Sequence, residues 1–173
     1  PPVTIDEIVV SPANVTILTG GSQGYTATAI LSDQTSRDVT SIASWVSGDK
    51  KVVVVSARGL VTGVGAGVTS IEAGVNYEGI SYSGDTLITV EDPVELVSVT
   101  ITPRVSDVLV GEHQQFIATA TLSNNDRVDV TSEAVWFTGN SAVAAVGLKA
   151  TAGLVTGTGA GKTEVWADYT FDG

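Results

Sequence analysis

The stretch Gly59-Leu60-Val61-Thr62-Gly63-Val64-Gly65-Ala66-Gly67 occurs a second time as Gly153-Leu154-Val155-Thr156-Gly157-Thr158-Gly159-Ala160-Gly161. The two copies differ only where Thr158 stands in place of Val64. An internal repeat of this kind indicates the fold class more firmly than residue propensities do.

The repeat extends outward over most of the chain. The following residues recur 91 positions later: Pro12 as Pro103, Ala27-Thr28-Ala29 as Ala118-Thr119-Ala120, Asp38-Val39-Thr40-Ser41 as Asp129-Val130-Thr131-Ser132, and Trp45 as Trp136. From Gly59 and Gly153 onward the offset is 94, which indicates a three-residue insertion near Leu148 to Ala150. We therefore predict two domains, residues 1–92 and residues 93–173, with the second copy C-terminally truncated.

Each copy shows the apolar alternation of half-buried strands. Tyr25, Ala27, Ala29 and Leu31 recur at every second position, and Pro and Gly interrupt the pattern at turns. About seven or eight short strands with turns between them are typical of a β-sandwich. Trp45 and Trp136 occupy matching strand positions, so we predict that both are buried core anchors between the sheets.

These residues together resemble the group 2 bacterial immunoglobulin-like domain. The resemblance rests on the following segments and their counterparts in the second copy: Ile8-Val9-Val10-Ser11-Pro12, Leu18-Thr19-Gly20, Ala27-Thr28-Ala29, Val39-Thr40, Trp45-Val46-Ser47 and Gly59-Leu60-Val61-Thr62-Gly63. It implies an all-β fold of two tandem immunoglobulin-like β-sandwich domains, the second lacking its last strand. It also implies a spacer, display or binding module without catalytic residues.

The charge of the chain disfavours two classes of partner. Eight Lys and Arg stand against 19 Asp and Glu, a formal net charge of -11. Nucleic acid and anionic lipid surfaces would be repelled, so neither is an expected partner. No run approaches the roughly 18 apolar residues of a membrane span, and membrane insertion is not expected.

The sequence favours a protein that is not an enzyme and needs no cofactor. There is no Cys, which excludes disulfides, thiolate metal sites and cysteine nucleophiles. His113 is the single histidine and is predicted to be a surface residue in a turn. The segment from Thr156 to Thr163 is similar to a phosphate-binding loop, but it lacks the first glycine and precedes a strand-like pattern, so we interpret it as a strand-to-strand corner.

One acidic cluster is a candidate metal site. Glu91, Asp92 and Glu95 lie at the junction of the two copies, and carboxylates are the ligands that Ca²⁺ prefers. A calcium ion there would raise the melting temperature in millimolar Ca²⁺ relative to chelator. The alternative interpretation is a solvated hinge.

The second copy has no counterpart of the apolar segment from Thr86 to Val90. Its preceding strand would then present an open edge of unpaired backbone groups. Three explanations are open: an expression boundary or disordered tail, a strand that returns from elsewhere in the parent protein, or a strand donated by a neighbouring subunit. Trp166 on that preceding strand stands where the first copy has Glu72, and we predict that it faces outward as a candidate contact residue.

The predicted function is a structural, spacer or adhesive module of a bacterial cell-surface or extracellular protein. Its partners would be a protein, a cell-surface glycan, or neighbouring domains of a longer chain or assembly. The alternatives are a decoration or tail appendage of a phage virion, or a filament subunit completed by a donated strand.

Overall fold

The two repeats fold around two separate cores. The computed structural model describes residues 2–172, and the chain divides into two compact units, unit 1 (Pro1–Pro93) and unit 2 (Val94–Gly173). Within the described residues every regular element is a strand apart from one short 3₁₀ helix, so the predicted all-β class is confirmed. The same residues include no helix with the length and hydropathy needed to cross a bilayer.

Unit 1 contains more strands than the seven or eight that the sequence predicts. They are β1 (Ile5–Ser11), β2 (Val15–Leu18), β3 (Ser22–Gly24), β4 (Thr26–Leu31), β5 (Ser36–Asp38), β6 (Ser44–Ser47), β7 (Val53–Val55), β8 (Leu60–Gly63), β9 (Gly67–Tyr77) and β10 (Ile80–Glu91). The sheets have the strand orders β1-β4-β5, β2-β10-β9-β6 and β3-β8-β7.

The core of unit 1 consists of the inward members of the alternating strands. They include Ile5, Ile8, Val10, Tyr25, Ala27, Ala29, Val53, Val61, Ile71, Ala73, Ile88 and Val90. Burying one Val or Ile side chain contributes about 1.5–3 kcal/mol relative to leaving it exposed. Because the apolar residues recur at every second position, one face of each strand supplies this core and the other meets solvent.

Strand β10 has a neighbour on both sides. It pairs antiparallel with β9 from Ile80↔Tyr77 to Val90↔Gly67, and parallel with β2 from Ile88↔Val15 to Glu91↔Leu18. Its inward residues Thr86, Ile88 and Val90 are buried as a result.

Unit 2 repeats most of this plan with shorter sheets. Its elements are β11 (Leu96–Thr102), β12 (His113–Gln115), β13 (Ile117–Leu122), β14 (Arg127–Asp129), β15 (Val135–Thr138), β16 (Ala144–Val146), a 3₁₀ helix (Lys149–Thr151), β17 (Leu154–Gly157) and β18 (Val165–Asp168). The sheets are β11-β13-β14, β12-β17-β16 and β15-β18. The 3₁₀ helix lies at the insertion that the change of offset predicts.

Unit 2 differs from unit 1 at the positions of β2 and β10. Within residues 2–172 there is no counterpart of β10, as the sequence predicts, and the sheet that contains β18 has two strands instead of four. The segment Ser106 to Leu109, which corresponds to β2, forms no strand; only an isolated bridge joins Val110 to Gly157. Among the described residues this segment has no counterpart of β10 with which to pair.

The two tryptophans predicted as buried core anchors differ in burial. Trp136 is 3% exposed and belongs to the core of unit 2, whereas Trp45 is only partly buried and packs against the core of unit 1. Each indole N–H donates to a backbone carbonyl five residues earlier, Thr40 and Thr131 respectively. Unit 2 adds the Gln115 side chain, which donates to the carbonyl of Ala152, where unit 1 has Gly24. A Cβ at Gly153 would lie 2.8 Å from Gln115 Nε2 and 3.0 Å from Trp136 Cζ2, so the Gln115 side chain lies close to the indole of unit 2, and Gly24 offers no such side chain in unit 1.

Candidate functional site

Two stacked aromatic rings lie on the outward face of the β15–β18 pair. Phe137 and Trp166 are cross-strand partners, with ring centroids 5.6 Å apart and an interplanar angle of 16°. Trp166 is 42% exposed, as its sequence position predicts. In unit 1 the same two places are taken by Val46 and Glu72, so the aromatic pair is specific to unit 2.

Phe137 was missed by sequence reasoning. Its neighbour Trp136 points inward, so strand alternation places Phe137 on the outer face. The sequence does not show the register of β15 against β18, and this register places Phe137 opposite Trp166. Stacking shields part of both rings, and aromatic pairs of this kind are worth about 0.5–1.5 kcal/mol beyond their buried area.

Carboxylates flank the aromatic pair. Glu164, Trp166 and Asp168 are all exposed at alternating positions, and Asp168 is the cross-strand partner of exposed Val135. The face therefore combines an apolar centre with negative charge beside it. Such a surface is complementary to a partner that offers Lys or Arg around an apolar contact.

A groove runs beside the free edge of β18. It encloses about 850 Å³ and is lined on one side by residues of the Ser106 to Leu109 segment and on the other by Gly161 to Trp166. Its floor includes the apolar side chains of Ile101, Phe116 and Val155. In the described residues β18 pairs only with β15, so the strand edge that faces the groove has no partner strand.

The acidic residues predicted as a calcium site form hydrogen bonds within their own units, Asp92 through its carboxylate and Glu91 and Glu95 through their backbones. The Thr19 hydroxyl donates to Asp92 Oδ1 at 2.7 Å, and the Thr19 N–H donates to the Glu91 carbonyl at 2.8 Å. The Glu95 N–H donates to the Ser123 hydroxyl at 3.0 Å. Residues 2–172 contain no group of three or more His, Asp or Glu side chains placed to hold a metal ion. Calcium binding at Glu91, Asp92 and Glu95 stays a prediction.

His113 lies on an exposed strand rather than in the predicted turn. It is the first residue of β12, and its Nδ1 lies 2.8 Å from the hydroxyl of its cross-strand partner Thr156. This hydrogen bond holds the imidazole ring against the Thr156 hydroxyl on an exposed strand.

The phosphate-loop-like segment is a corner between two strands. Strand β17 ends at Gly157 and the next regular element is strand β18, where a phosphate-binding loop would require a helix. Gly161 has a φ of +153°, and a Cβ there would lie 2.9 Å from Val143 Cγ2; Gly67 repeats both features against Val52. The predicted interpretation as a tight corner is confirmed.

Comparisons with known proteins agree with this geometry. The family described as bacterial Ig-like domain (group 2) matches residues 4–80 and again residues 95–167. Ice-binding protein 1 of Shewanella frigidimarina is 33% identical over 171 residues, which is 98% of this chain and 19% of that protein. The chain therefore spans about a fifth of the length of this relative.

Solved surface-layer structures share the fold. Domains 1–6 of the surface layer protein SbsC superpose with a TM-score of 0.57 at 15% identity, covering 96% of this chain and 26% of that one. A longer SbsC structure gives a TM-score of 0.55, again at 15% identity, and covers 95% of this chain and 26% of the other. At this identity the likeness concerns the fold alone.

Proposed function

The chain belongs to the group 2 bacterial immunoglobulin-like family, and from this premise we propose that its two units are structural spacer domains of a bacterial extracellular or cell-surface protein. The observation that carries the proposal is that each unit encloses its own core, so that function is left to exposed surface. The cell-surface location is part of the proposal, and the surface-layer and ice-binding relatives support it.

An exchange experiment tests the spacer role. In the protein that carries these units, both are replaced by two unrelated immunoglobulin-like domains of similar length, and attachment or ligand binding at the cell surface is measured. A spacer is replaceable, so we expect function to be retained after the exchange and reduced after simple deletion. Loss of function in the exchanged protein, with normal display, would contradict the proposal.

The isolated chain supplies a second measurement. Since one relative is named an ice-binding protein, thermal hysteresis of the chain is measured beside an unrelated immunoglobulin-like domain at the same concentration. We expect no difference between the two. Ice binding by the isolated chain would assign these units a binding role instead.

The exposed aromatic pair favours an adhesive contribution as a second candidate. Phe137 and Trp166 present an apolar centre beside Glu164 and Asp168, which suits a protein surface with basic residues. Trp166→Glu, which restores the residue of unit 1, should abolish such binding in a cell-adhesion assay, whereas Ile42→Glu at an exposed position of unit 1 should not. Binding that survives Trp166→Glu, or that depends on glycan, would reject this partner. The phage-virion alternative stays a prediction.

A further inference from the structure

An exposed apolar patch lies on the outward face of the β3-β8-β7 sheet of unit 1. Leu60 and Thr62 of β8 and Val64 after it alternate on this face, and Val54 of β7 is the cross-strand partner of Thr62. Val54, Leu60 and Val64 are all exposed. Exposed apolar side chains that lie together, unlike scattered ones, indicate a surface that contacts another molecule.

Basic residues stand at both ends of this patch. Lys50 and Lys51 lie in the turn before β7, Arg58 lies in the turn between β7 and β8, and all three are exposed. The strands β3, β7 and β8 contain no charged residue. The one acid in the two turns is Asp49, whose carboxylate accepts the Lys51 N–H at 2.8 Å. The patch and its basic residues, which we name the cationic face, are thus locally positive on an acidic chain.

The aromatic pair of unit 2 has the opposite charge around a similar centre. Val135, Phe137 and Trp166 are exposed apolar residues on the outward side of β15 and β18. Glu164 and Asp168 lie on either side of Trp166 along β18 and are exposed as well. We name these five residues the anionic face. Both faces have three exposed apolar side chains, with cations beside one set and carboxylates beside the other.

The outward position of the anionic face does not depend on the edge of β18. In unit 1, where β9 has a strand on each side, Val46 and Glu72 hold the places of Phe137 and Trp166, and both are exposed. A further strand beside β18 would lie in the plane of the sheet and leave its outward face open.

Each face is developed in one unit only. Unit 1 has no aromatic residue at the places of Phe137 and Trp166. Unit 2 has smaller or uncharged residues at three places of the cationic face, where Ala142, Ala145 and Thr158 correspond to Lys51, Val54 and Val64. The chain therefore carries two unlike surfaces of complementary charge.

We propose that the cationic face of one copy of this chain binds the anionic face of another copy. The apolar centres remove each other from water, and Lys51 and Arg58 supply charges opposite to those of Glu164 and Asp168. Two cationic or two anionic faces repel each other, so like faces do not pair. The contact is heterologous, because it joins two different surfaces. This inference rests on the aromatic surface proposed above for adhesion and names its partner.

The experiment measures self-association of the whole 173-residue chain. The weight-average mass is recorded by sedimentation equilibrium from micromolar to millimolar protein at about 0.15 M salt, where the general repulsion between acidic chains is screened beyond about 8 Å. We expect the mass to rise with concentration. A chain that stays monomeric over this range would overturn the proposal, while the cell-adhesion assay would still test adhesion to another basic protein.

Two variants each remove one face. Val54→Glu combined with Arg58→Glu alters the cationic face, and Trp166→Glu alters the anionic face. We expect each to weaken self-association about tenfold or more. The matched controls make the same charge changes at exposed positions away from both faces and should associate as the unchanged chain does: Ile42→Glu combined with Arg37→Glu, and Val128→Glu. An equal loss in a control would overturn the proposal by assigning the effect to net charge.

Mixing the two face variants separates this contact from a symmetric one. Each variant keeps the face that the other lacks, so an equimolar mixture should form a one-to-one complex although neither variant associates alone. A mixture that stays monomeric, or a face variant that associates as strongly as the unchanged chain, would overturn the proposal.

A charge reversal that keeps both aromatic rings provides a second measurement. Glu164→Lys combined with Asp168→Lys makes the net charge of the chain less negative, so general repulsion alone predicts stronger association. The proposal predicts association weakened about tenfold or more, because the altered face then repels Lys51 and Arg58. Unchanged or stronger association in this variant would overturn it.

Discussion

Tyr25 and Phe116 occupy matching places in the two cores and differ by one hydroxyl. Tyr25 is 2% exposed, and among the described residues its hydroxyl oxygen has no hydrogen-bond partner. Burial raises the pKa of Tyr25 above its ordinary value, because the ionised form loses its hydration in the core. A buried hydroxyl without a partner costs free energy that Phe116 does not cost in unit 2.

Tyr25→Phe should therefore stabilise unit 1. We expect the free energy of unfolding to rise by about 1 kcal/mol, because the substitution removes an unsatisfied polar group and leaves the ring in place. Urea denaturation measures the change. The matched control is Phe116→Tyr, which should destabilise unit 2 by a similar amount. A clear loss of stability in Tyr25→Phe would show that the hydroxyl is satisfied.

Asp33 closes the turn between β4 and β5 and links stability to pH. The hydroxyl of Thr35 donates to Asp33 Oδ1 at 2.6 Å, and the Thr35 N–H donates to the same oxygen at 3.0 Å. These bonds hold the pKa of Asp33 below its ordinary value, the hydroxyl bond being the larger cause. Asn124 replaces this carboxylate in unit 2.

We expect acid to weaken unit 1 through Asp33. Because the folded pKa lies below the unfolded one, the carboxylate stabilises the unit above the unfolded pKa of about 3.9 and this contribution is lost as the pH falls through the folded pKa. In urea melts from pH 6 to pH 2, Asp33→Asn should flatten the acid side of the curve for unit 1. An unchanged slope in this variant would show that Asp33 does not contribute.

The corner between β7 and β8 explains why the most strongly repeated segment begins with glycine. Gly59 has a φ of +76°, and a Cβ there would lie 2.5 Å from the Tyr25 carbonyl oxygen and 2.9 Å from Cζ2 of Trp45. The indole therefore packs directly on the backbone of this corner. Gly153 has the same relation to Trp136 in unit 2.

Gly59→Ala should be far more damaging than alanine at another left-handed glycine. Gly20 has a φ of +83° with nothing within 4 Å of its Cβ position, so Gly20→Ala should cost only the backbone strain of about 1–2 kcal/mol. Gly59→Ala adds the overlap with Tyr25 and Trp45, for a total of about 2–5 kcal/mol. Chemical denaturation compares the two variants. Equal losses would contradict the packing of Trp45 on this corner.

Strand β18 should exchange its amide hydrogens faster than the strand it corresponds to. Strand β9 lies between β10 and β6, whereas β18 pairs only with β15 among the described residues. Strands β4 and β13 serve as references because each has a partner on both sides. Hydrogen-exchange mass spectrometry measures the exchange rate of each strand. We expect the rate of β18 divided by that of β13 to exceed the rate of β9 divided by that of β4. Equal ratios would mean that the edge of β18 is covered.

At this scale the sequence predicted the long alternating strands and missed the short polar ones. Strand β5 is exposed at all three positions, so it has no apolar alternation from which it could be predicted. The sequence also did not show that Ser106 to Leu109 form no strand, because strand formation depends on a partner that is distant in sequence. For the candidate site, outward-facing Trp166 and the open edge were predictable from the repeat, while the Phe137 stack and the groove required the register.

The buried apolar residues of the described chain form two separate clusters, so we expect two units that fold independently. Val61 and Val155 hold matching places in these clusters and are 0% and 3% exposed. No Cys residue is available to bridge them. Each unit must therefore be stabilised by the packing of its own sheets.

Val61→Asp and Val155→Asp should each unfold one unit. An unpaired charge in an apolar core costs several kcal/mol, a large part of the stability of a small domain. In two-dimensional NMR spectra we expect Val61→Asp to collapse the peaks of unit 1 while those of unit 2 keep their native positions, and the reverse for Val155→Asp. Collapse of both sets of peaks by either substitution would contradict two independent cores.

The parallel pairing of β2 with β10 gives unit 1 resistance to tension. Val15 to Leu18 lie near the start of the unit and Ile88 to Glu91 near its end, so pulling on the two ends slides these strands along each other in shear. All the bonds of the ladder then carry the load together, whereas strands peeled from one end break them in succession.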